Sequence, residues 1–184
     1  MKKLLLLSFA VLLAPLAGAA PYAVQPDKSA LTFDYKQMGV PVEGRFKKFG
    51  ARIDFDPAKP AAAKAEIDVD PNSIDTGLAE ADEEVKGKNW FDVKNFPQAK
   101  FVATSVRPLG GNRYEAAGKM TIHGVTKDVT APFTFTPQGK AAVFDGSFVI
   151  RRADYGIGRG EWADFGTVAN EVQIKFHFLA NAGK

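Results

Sequence analysis

Val172-Gln173-Ile174-Lys175-Phe176-His177-Phe178 puts an apolar side chain at every even position and a polar one at every odd position. Side chains on an extended backbone point alternately to opposite faces, so this run reads as a strand with one dry face and one wet face. The period recurs along the chain. Leu31, Phe33 and Tyr35 alternate with Thr32 and Asp34, and Ile53 and Phe55 with Arg52, Asp54 and Asp56. Ala65, Ile67 and Val69 alternate with Glu66, Asp68 and Asp70, and Phe133 and Phe135 with threonines. Asp56-Pro57, Pro71-Asn72, Gly110-Gly111-Asn112 and Pro137-Gln138-Gly139 punctuate the runs with turn-forming residues. About eight strands at regular spacing predict an antiparallel all-β fold, a sandwich or a barrel.

One segment breaks the period. Residues 78–86, Leu-Ala-Glu-Ala-Asp-Glu-Glu-Val-Lys, are rich in helix formers, with acids early and Lys86 late as the helix dipole favours. Asp75 or Thr76 is placed to cap the start of this helix, and Gly87 to end it. Around it stand Ser73-Ile74-Asp75-Thr76-Gly77 and the stretch Lys88–Phe101, a turn and then aromatic residues feeding a strand. A single short helix in an all-β chain suits a lid over one end of a barrel, whose mouth it would gate. This layout contains no paired nucleophile and base, no metal-ligand cluster and no glycine cradle for phosphate. It points to holding something apolar rather than transforming it.

The ends and the composition narrow the choice further. Lys2 and Lys3, the apolar run Leu4–Leu13 interrupted only by Ser8, and the small residues Ala17-Gly18-Ala19 predict a cleaved export signal over residues 1–19. The run is shorter than the roughly 20 apolar residues that span a bilayer. The expected product is a soluble periplasmic protein, residues 20–184, forming one domain large enough for a sizeable core. Residues 1–19 hold two lysines and no acid, so their removal lowers the formal charge from +3 to +1. With lysines dispersed and no arginine-rich helix, nucleic-acid binding is not expected. There is no cysteine, so the core must hold without disulfides. Fifteen phenylalanines imply either an unusually aromatic core or an apolar cavity to line.

Candidate chemistry is sparse. His123 and His177 fall in separate predicted elements with no local partner, which does not make a zinc site. Ser73 and Ser147 lack the Gly-x-Ser-x-Gly elbow of a nucleophile. Asp75 and Asp92 form a carboxylate pair only if the fold brings them together; the simpler reading is a helix cap and a loop tie. In Arg151–Gly160, Arg159 is a candidate contact for a polar head group at a cavity mouth, and Arg151 is placed to pair with Asp154 across a turn. Trp90, Phe91, Phe96, Tyr155, Trp162 and Phe165 cluster in connecting regions, as the upper wall of a pocket or as a small core beneath the loops.

Taken in order, these segments resemble the YceI family, lipocalin-like polyisoprenoid-binding proteins exported by bacteria. The resemblance is carried by Ser29–Phe33, Gly39, Val42–Phe46, Phe49–Asp56, Ser73–Gly77, Lys86–Val93, Phe96–Phe101, Gly118–Val129, Ile150–Ile157 and Asn170–Phe176. It departs at Gln37, where the family often has histidine, and at Ala81-Asp82, where an Arg-Asp pair is common. The resemblance implies an elongated, lipocalin-like eight-stranded antiparallel barrel with a tunnel for one isoprenoid, quinone-like or fatty-acyl tail. It also implies a membrane cytochrome b561-type partner in some members.

On the inward faces, Phe33, Tyr35, Phe101, Phe133, Phe135, Ile174 and Phe176 are expected to line the tunnel. Trp90, Phe91 and Trp162 are expected at its rim, with Arg159 as the polar contact. The expected role is a carrier of a bound lipid, without catalytic cofactor or metal, as monomer or homodimer, in transient contact with a membrane or cytochrome. Scavenging of toxic hydrophobic compounds is a variant of that role. An enzyme using Asp92, His123 or Tyr155 as acid or base is the less favoured alternative.

Overall fold

The computed structural model describes residues 21–183, so the expected export segment lies outside the described residues. The strands are β1 (Tyr22–Val24), β2 (Ala30–Gln37), β3 (Val40–Phe46), β4 (Phe49–Asp54), β5 (Lys64–Val69) and β6 (Ile74–Asp75). They continue with β7 (Ala99–Gly110), β8 (Arg113–Ile122), β9 (Val125–Gln138), β10 (Ala141–Arg151) and β11 (Glu171–Ala182). The helix α1 spans Ala79–Lys86. All pairings are antiparallel, and the order β1-β4-β5-β7-β8-β9-β10-β11 closes on itself where β1 pairs β11. Strands β2, β3 and β6 prolong this ring at the α1 end, so β1/β2, β3/β4 and β5/β6 are three bent strands of one eight-stranded barrel.

Ser73 stitches two of the bends together. The Lys48 N–H donates to its Oγ (2.9 Å), the hydroxyl donates to the Asp70 carbonyl (2.7 Å), and the Lys47 N–H donates to the Ser73 carbonyl (3.1 Å). Each bend shifts the inward phase by one residue. Cavity-facing positions are odd in β4 and β5 but even at Phe46 and Ile74. A register irregularity between Ala103 and Ser105 does the same in β7, where Phe101 and then Val106 face inward.

At the α1 end, β6 pairs only with β3 and leaves the ring unclosed toward β7. The crossover 76–98 fills that opening, and α1 turns Ala81 and Val85 toward the barrel interior. The helix starts differently from the sequence expectation. Its N-cap is Leu78, without a side-chain bond; Asp82, one turn in, reaches back to accept from the Thr76 N–H and hydroxyl, both at 2.7 Å. Asp75 is occupied elsewhere. It accepts from Arg45 Nη2 (2.8 Å) and the Gly77 N–H (3.1 Å) and lies 3.2 Å from Lys47 Nζ. Gly87 ends the helix in an extended rather than left-handed conformation, its N–H donating to the Glu84 carbonyl (2.9 Å).

The core has two parts. The lower one, away from α1, centres on Phe55, whose ring lies 4.9 Å from both Tyr114 and Phe135 and 5.8 Å from Phe133 and Phe144. The upper one gathers Trp90, Ile122, Ile150, Tyr155, Ile157 and Val168. Between them the barrel is kept open by three glycines on inward positions. Rings of Phe33, Phe101 and Phe176 occupy the space where Cβ atoms of Gly44, Gly118 and Gly146 would stand. The rings therefore lie flat against the wall instead of filling the lumen.

Gly146→Ala drives a methyl into the Phe176 ring and the Pro132 carbonyl and is expected to lose about 1–3 kcal/mol in urea unfolding, whereas Gly50→Ala, with open space around it, stays near wild type. The basic pair and the Gly77 N–H hold the Asp75 carboxyl down at about 2. A carboxylate depressed in the folded state stabilises above its ordinary value near 3.8 and loses that contribution as pH falls toward 2. Acid unfolding of Asp75→Asn is therefore expected to show a shallower loss of Tm between those two pH values than wild type.

Candidate functional site

A cavity of about 530 Å³ runs along the barrel axis between the two core clusters. Its wall is almost wholly hydrocarbon, drawn from the inward faces of the strands, with α1 and the loop 152–170 over the upper end. Exposed Gln37, Glu80 and Glu84 touch it at the α1 end, where it meets solvent. Lys64 touches it near the β4–β5 connection.

The alternation places most of the expected residues here. Phe33, Tyr35, Phe101, Phe133, Ile174 and Phe176 lie on the wall, and Trp90, Phe91 and Trp162 lie on its upper part. Phe135 does not. It faces inward, but one step below Phe133 along β9, opposite Phe144, and it is packed in the aromatic plug around Phe55. Alternation fixes the face of a strand but not the depth at which a lumen ends.

Arg159 is also off the wall; it is exposed, its guanidinium lying over Gly156. The arginine that reaches the cavity is Arg152, which is 2% exposed. A signal for it was present. Phe144, Gly146, Phe148 and Ile150 are the inward positions of β10, and two residues further on the same phase gives Arg152. All five of its N–H donors end on backbone carbonyls. Nε donates to Ala169, Nη1 to Ile157 and Gly158, and Nη2 to Trp162 and Val168, at 2.7–3.1 Å.

This satisfies the full donor set of a guanidinium and supplies carbonyl dipoles in place of lost hydration. Burial still pulls the Arg152 pKa down, opposed by the charge of Asp164. Only glycine fits at position 158, where φ is +73° and the Arg152 guanidinium occupies the Cβ direction. The pairing of Arg151 with Asp154 does not form; the Arg151 side chain is exposed, and no salt bridge joins the two.

The loop held by Arg152 in turn holds the crossover. The N–H groups of Gly158 and Arg159 both donate to the Asn89 carbonyl (2.7 and 2.8 Å), which fixes the position of neighbouring Trp90. The Arg152 guanidinium carbon lies 5.4 Å from the Trp90 ring centroid, and the two indoles of Trp90 and Trp162 are 5.6 Å apart. Trp162 Nε1 donates to Glu84 Oε1 (2.7 Å), linking the loop to α1. Trp90 Nε1 is buried and, among the described residues, is the one buried side-chain nitrogen or oxygen with no hydrogen-bond partner.

The acid–base candidates lie off the cavity wall. His123, in the β8–β9 turn with φ of 50°, donates from Nδ1 to the Tyr155 carbonyl (3.2 Å) and packs edge-on against Phe96. Tyr155 is 2% exposed, and burial pushes its hydroxyl up to about 12, with a smaller contribution from Asp154. Asp92 accepts from Asn95 Nδ2 (2.9 Å), a loop tie. His177 pairs on the outer face with Asp145 (2.6 Å). Among the described residues no group of three or more His, Cys, Asp or Glu is placed to hold a metal ion.

A family profile described as the YceI-like domain matches residues 22–180. The chain belongs to the YceI family. Among its relatives is a UPF0312 protein of Pseudomonas fluorescens, 36% identical over 183 residues, covering 92% of this chain and 90% of the relative. The crystal structure of Burkholderia cenocepacia BcnA superposes with a TM-score of 0.84 at 46% identity, over 86% of this chain and 99% of BcnA. A domain from Saccharophagus degradans described as polyisoprenoid-binding shares the fold, with a TM-score of 0.72 at 15% identity over 90% of this chain and 99% of that domain. The eight-stranded antiparallel barrel with one helix is the architecture that the sequence pattern and the family resemblance led us to expect.

Replacing the buried cation tests its structural role. Arg152→Leu leaves five carbonyls without donors and is expected to lose about 3 kcal/mol or more in urea unfolding, and Arg152→Lys, with three donors, recovers only part of it.

Proposed function

We propose that this YceI-family protein binds the isoprenoid, quinone-like or fatty-acyl tail of one lipid in the barrel and carries it through the periplasm. The observation that carries this reading is the cavity itself: about 530 Å³ bounded by an almost unbroken hydrocarbon wall. A void of that size lined by phenylalanine, isoleucine and valine offers water few partners, while each buried CH₂ of a tail gains about 0.8 kcal/mol. Ten such groups supply about 8 kcal/mol before ordering costs, which is micromolar affinity at best. The family membership and the polyisoprenoid-binding description of the S. degradans domain support the same class of ligand.

The reading is binding rather than catalysis. Export through residues 1–19 is part of it, as is the handover of cargo at a membrane or to a cytochrome b561-type partner. Met38, Val40, Leu78 and Phe165 are exposed apolar residues; Met38 lies beside the loop, its N–H donating to the Thr167 carbonyl, and such residues suit brief contact with a membrane. Capture of toxic hydrophobic compounds would use the same cavity.

Native mass spectrometry of the protein purified gently from its own periplasm tests the proposal. The expected result is an adduct that is released on activation and has the mass of a polyprenyl, quinone or acyl lipid. Protein that carries no adduct, and whose tryptophan emission is unchanged by added polyprenol, would end the carrier reading.

A further inference from the structure

We infer that Phe55 is the floor of the lumen and limits the length of tail that the barrel holds. This rests on the binding reading above and adds to it a tail length and the residue that sets it. Phe55 follows directly on the last residue of β4, in the connection to β5. Its ring nevertheless lies 4.9 Å from Phe135 and 5.8 Å from Phe133, both on β9. In the closed ring β9 stands opposite β4, with β5, β7 and β8 between them on one side and β1, β11 and β10 on the other. A side chain that starts at the end of β4 and packs on β9 therefore crosses the bore.

The cavity wall ends at that ring. On β8 the wall reaches Ala116 but not Tyr114, on β9 Phe133 but not Phe135, and on β10 Phe144 but not Ala142. Phe55 touches the excluded rings from one side, 4.9 Å from each of Tyr114 and Phe135, and the lumen from the other. The space just above it is kept by two small side chains, Ala116 and Ala131, which are paired across β8 and β9 and both lie on the wall. The opposite end meets solvent at Gln37, Glu80 and Glu84, so a tail enters from the α1 end and stops at Phe55.

The wall runs over six strand steps, from Phe144 to Ile150 on β10 and from Val172 to Phe178 on β11. At roughly 3.3 Å per residue and a tilt of about 40°, that is about 15 Å along the axis. Extended carbon–carbon bonds of about 1.5 Å advance roughly 1.3 Å per atom, so this height takes about 12 carbons. The volume of about 530 Å³ holds about 18 groups the size of water or methylene, at roughly 30 Å³ each. The surplus of volume over height leaves room for the methyl branches of an isoprenoid or the bends of an acyl chain. Each carbon within that limit tightens binding by up to about four-fold, and carbons beyond it stay outside the mouth and add no burial.

The test uses lipid-stripped full-length mature protein as wild type, Phe55→Leu and Ala131→Leu. The probes are straight-chain primary alcohols of about 8 to about 22 carbons, supplied from cyclodextrin and read by displacement of a neutral fluorescent naphthylamine. Their uncharged head keeps Glu80 and Glu84 out of the comparison. Variant-to-wild-type ratios at each length cancel the solubility of the alcohol. Wild-type affinity is expected to rise with length and to level off between about 12 and about 18 carbons. Phe55→Leu lowers the floor and is expected to tighten tails just beyond the wild-type limit about ten-fold, leaving short tails within about two-fold. Ala131→Leu raises the floor and is expected to weaken tails at the limit about ten-fold and to spare the short ones. Should one variant fail to fold, the other still moves the limit. Ratios that are the same at every length make Phe55 an ordinary core residue and overturn the inference while the carrier reading stands. Wild-type affinity still rising at about 22 carbons overturns it as well, since the tail would then pass the ring. Failure of every alcohol to bind wild type removes the carrier reading and this inference together.

Discussion

The upper half of this barrel depends on one guanidinium. Arg152 follows directly on the end of β10, where the chain leaves the ring, and its five bonds fold residues 157–169 back over the opening. That loop supplies Ile157, Trp162 and Val168 to the cavity wall. Through the Asn89 carbonyl it also fixes the crossover that covers the gap between β6 and β7. No carboxylate touches the cation among the described salt bridges; the charge is balanced by oriented peptide dipoles and the faces of Trp90 and Phe165. An apolar replacement does not reproduce this, because the carbonyls would remain.

The second constraint is that a packed barrel interior tends to fill. Eight strands give a bore that side chains alone can occupy. Here the lower end does fill, with the aromatic plug around Phe55, and the rest does not. The difference lies in where glycines fall. Opposite Phe33, beside Phe101 and opposite Phe176, a missing Cβ lets each ring recline on the neighbouring strand and keep its contacts there. The wall stays well packed while the axis stays empty, so a large lumen does not require a loose protein.

Much of this was legible in the sequence. Val172–Phe178 and Leu31–Tyr35 announce their inward faces directly, and residues 78–86 announce the helix to within one residue. Three things were not legible, each for a physical reason. The Lys47-Lys48, Asp70–Ser73 and Thr104 breaks shift the inward phase by one residue, which periodicity within a single strand does not reveal. Depth along the axis, which separates Phe135 from Phe133, depends on pairing register between strands. Arg152 is hidden from a sequence reading that favours Arg159, because a charged residue beside a glycine-rich loop reads as surface, although the alternation of β10 carries through to position 152. The cap was inverted as well: Asp82 serves Thr76, and Asp75 serves Arg45 and Lys47.

The bond from Trp162 to Glu84 joins two segments, loop and helix, that are otherwise outside the paired ring. The wall is built of continuous strand ladders, whereas the cover over the upper end is joined by two backbone bonds to the Asn89 carbonyl, one exposed side-chain bond and the meeting of two indoles. Parting them would uncover the lumen without disturbing a single ladder. Equilibrium occupancy and rate of exchange are thereby assigned to different parts of the molecule. For a ligand held as proposed, the phenylalanine wall would set how strongly it is bound, and the contact of loop with helix would set how often it could leave.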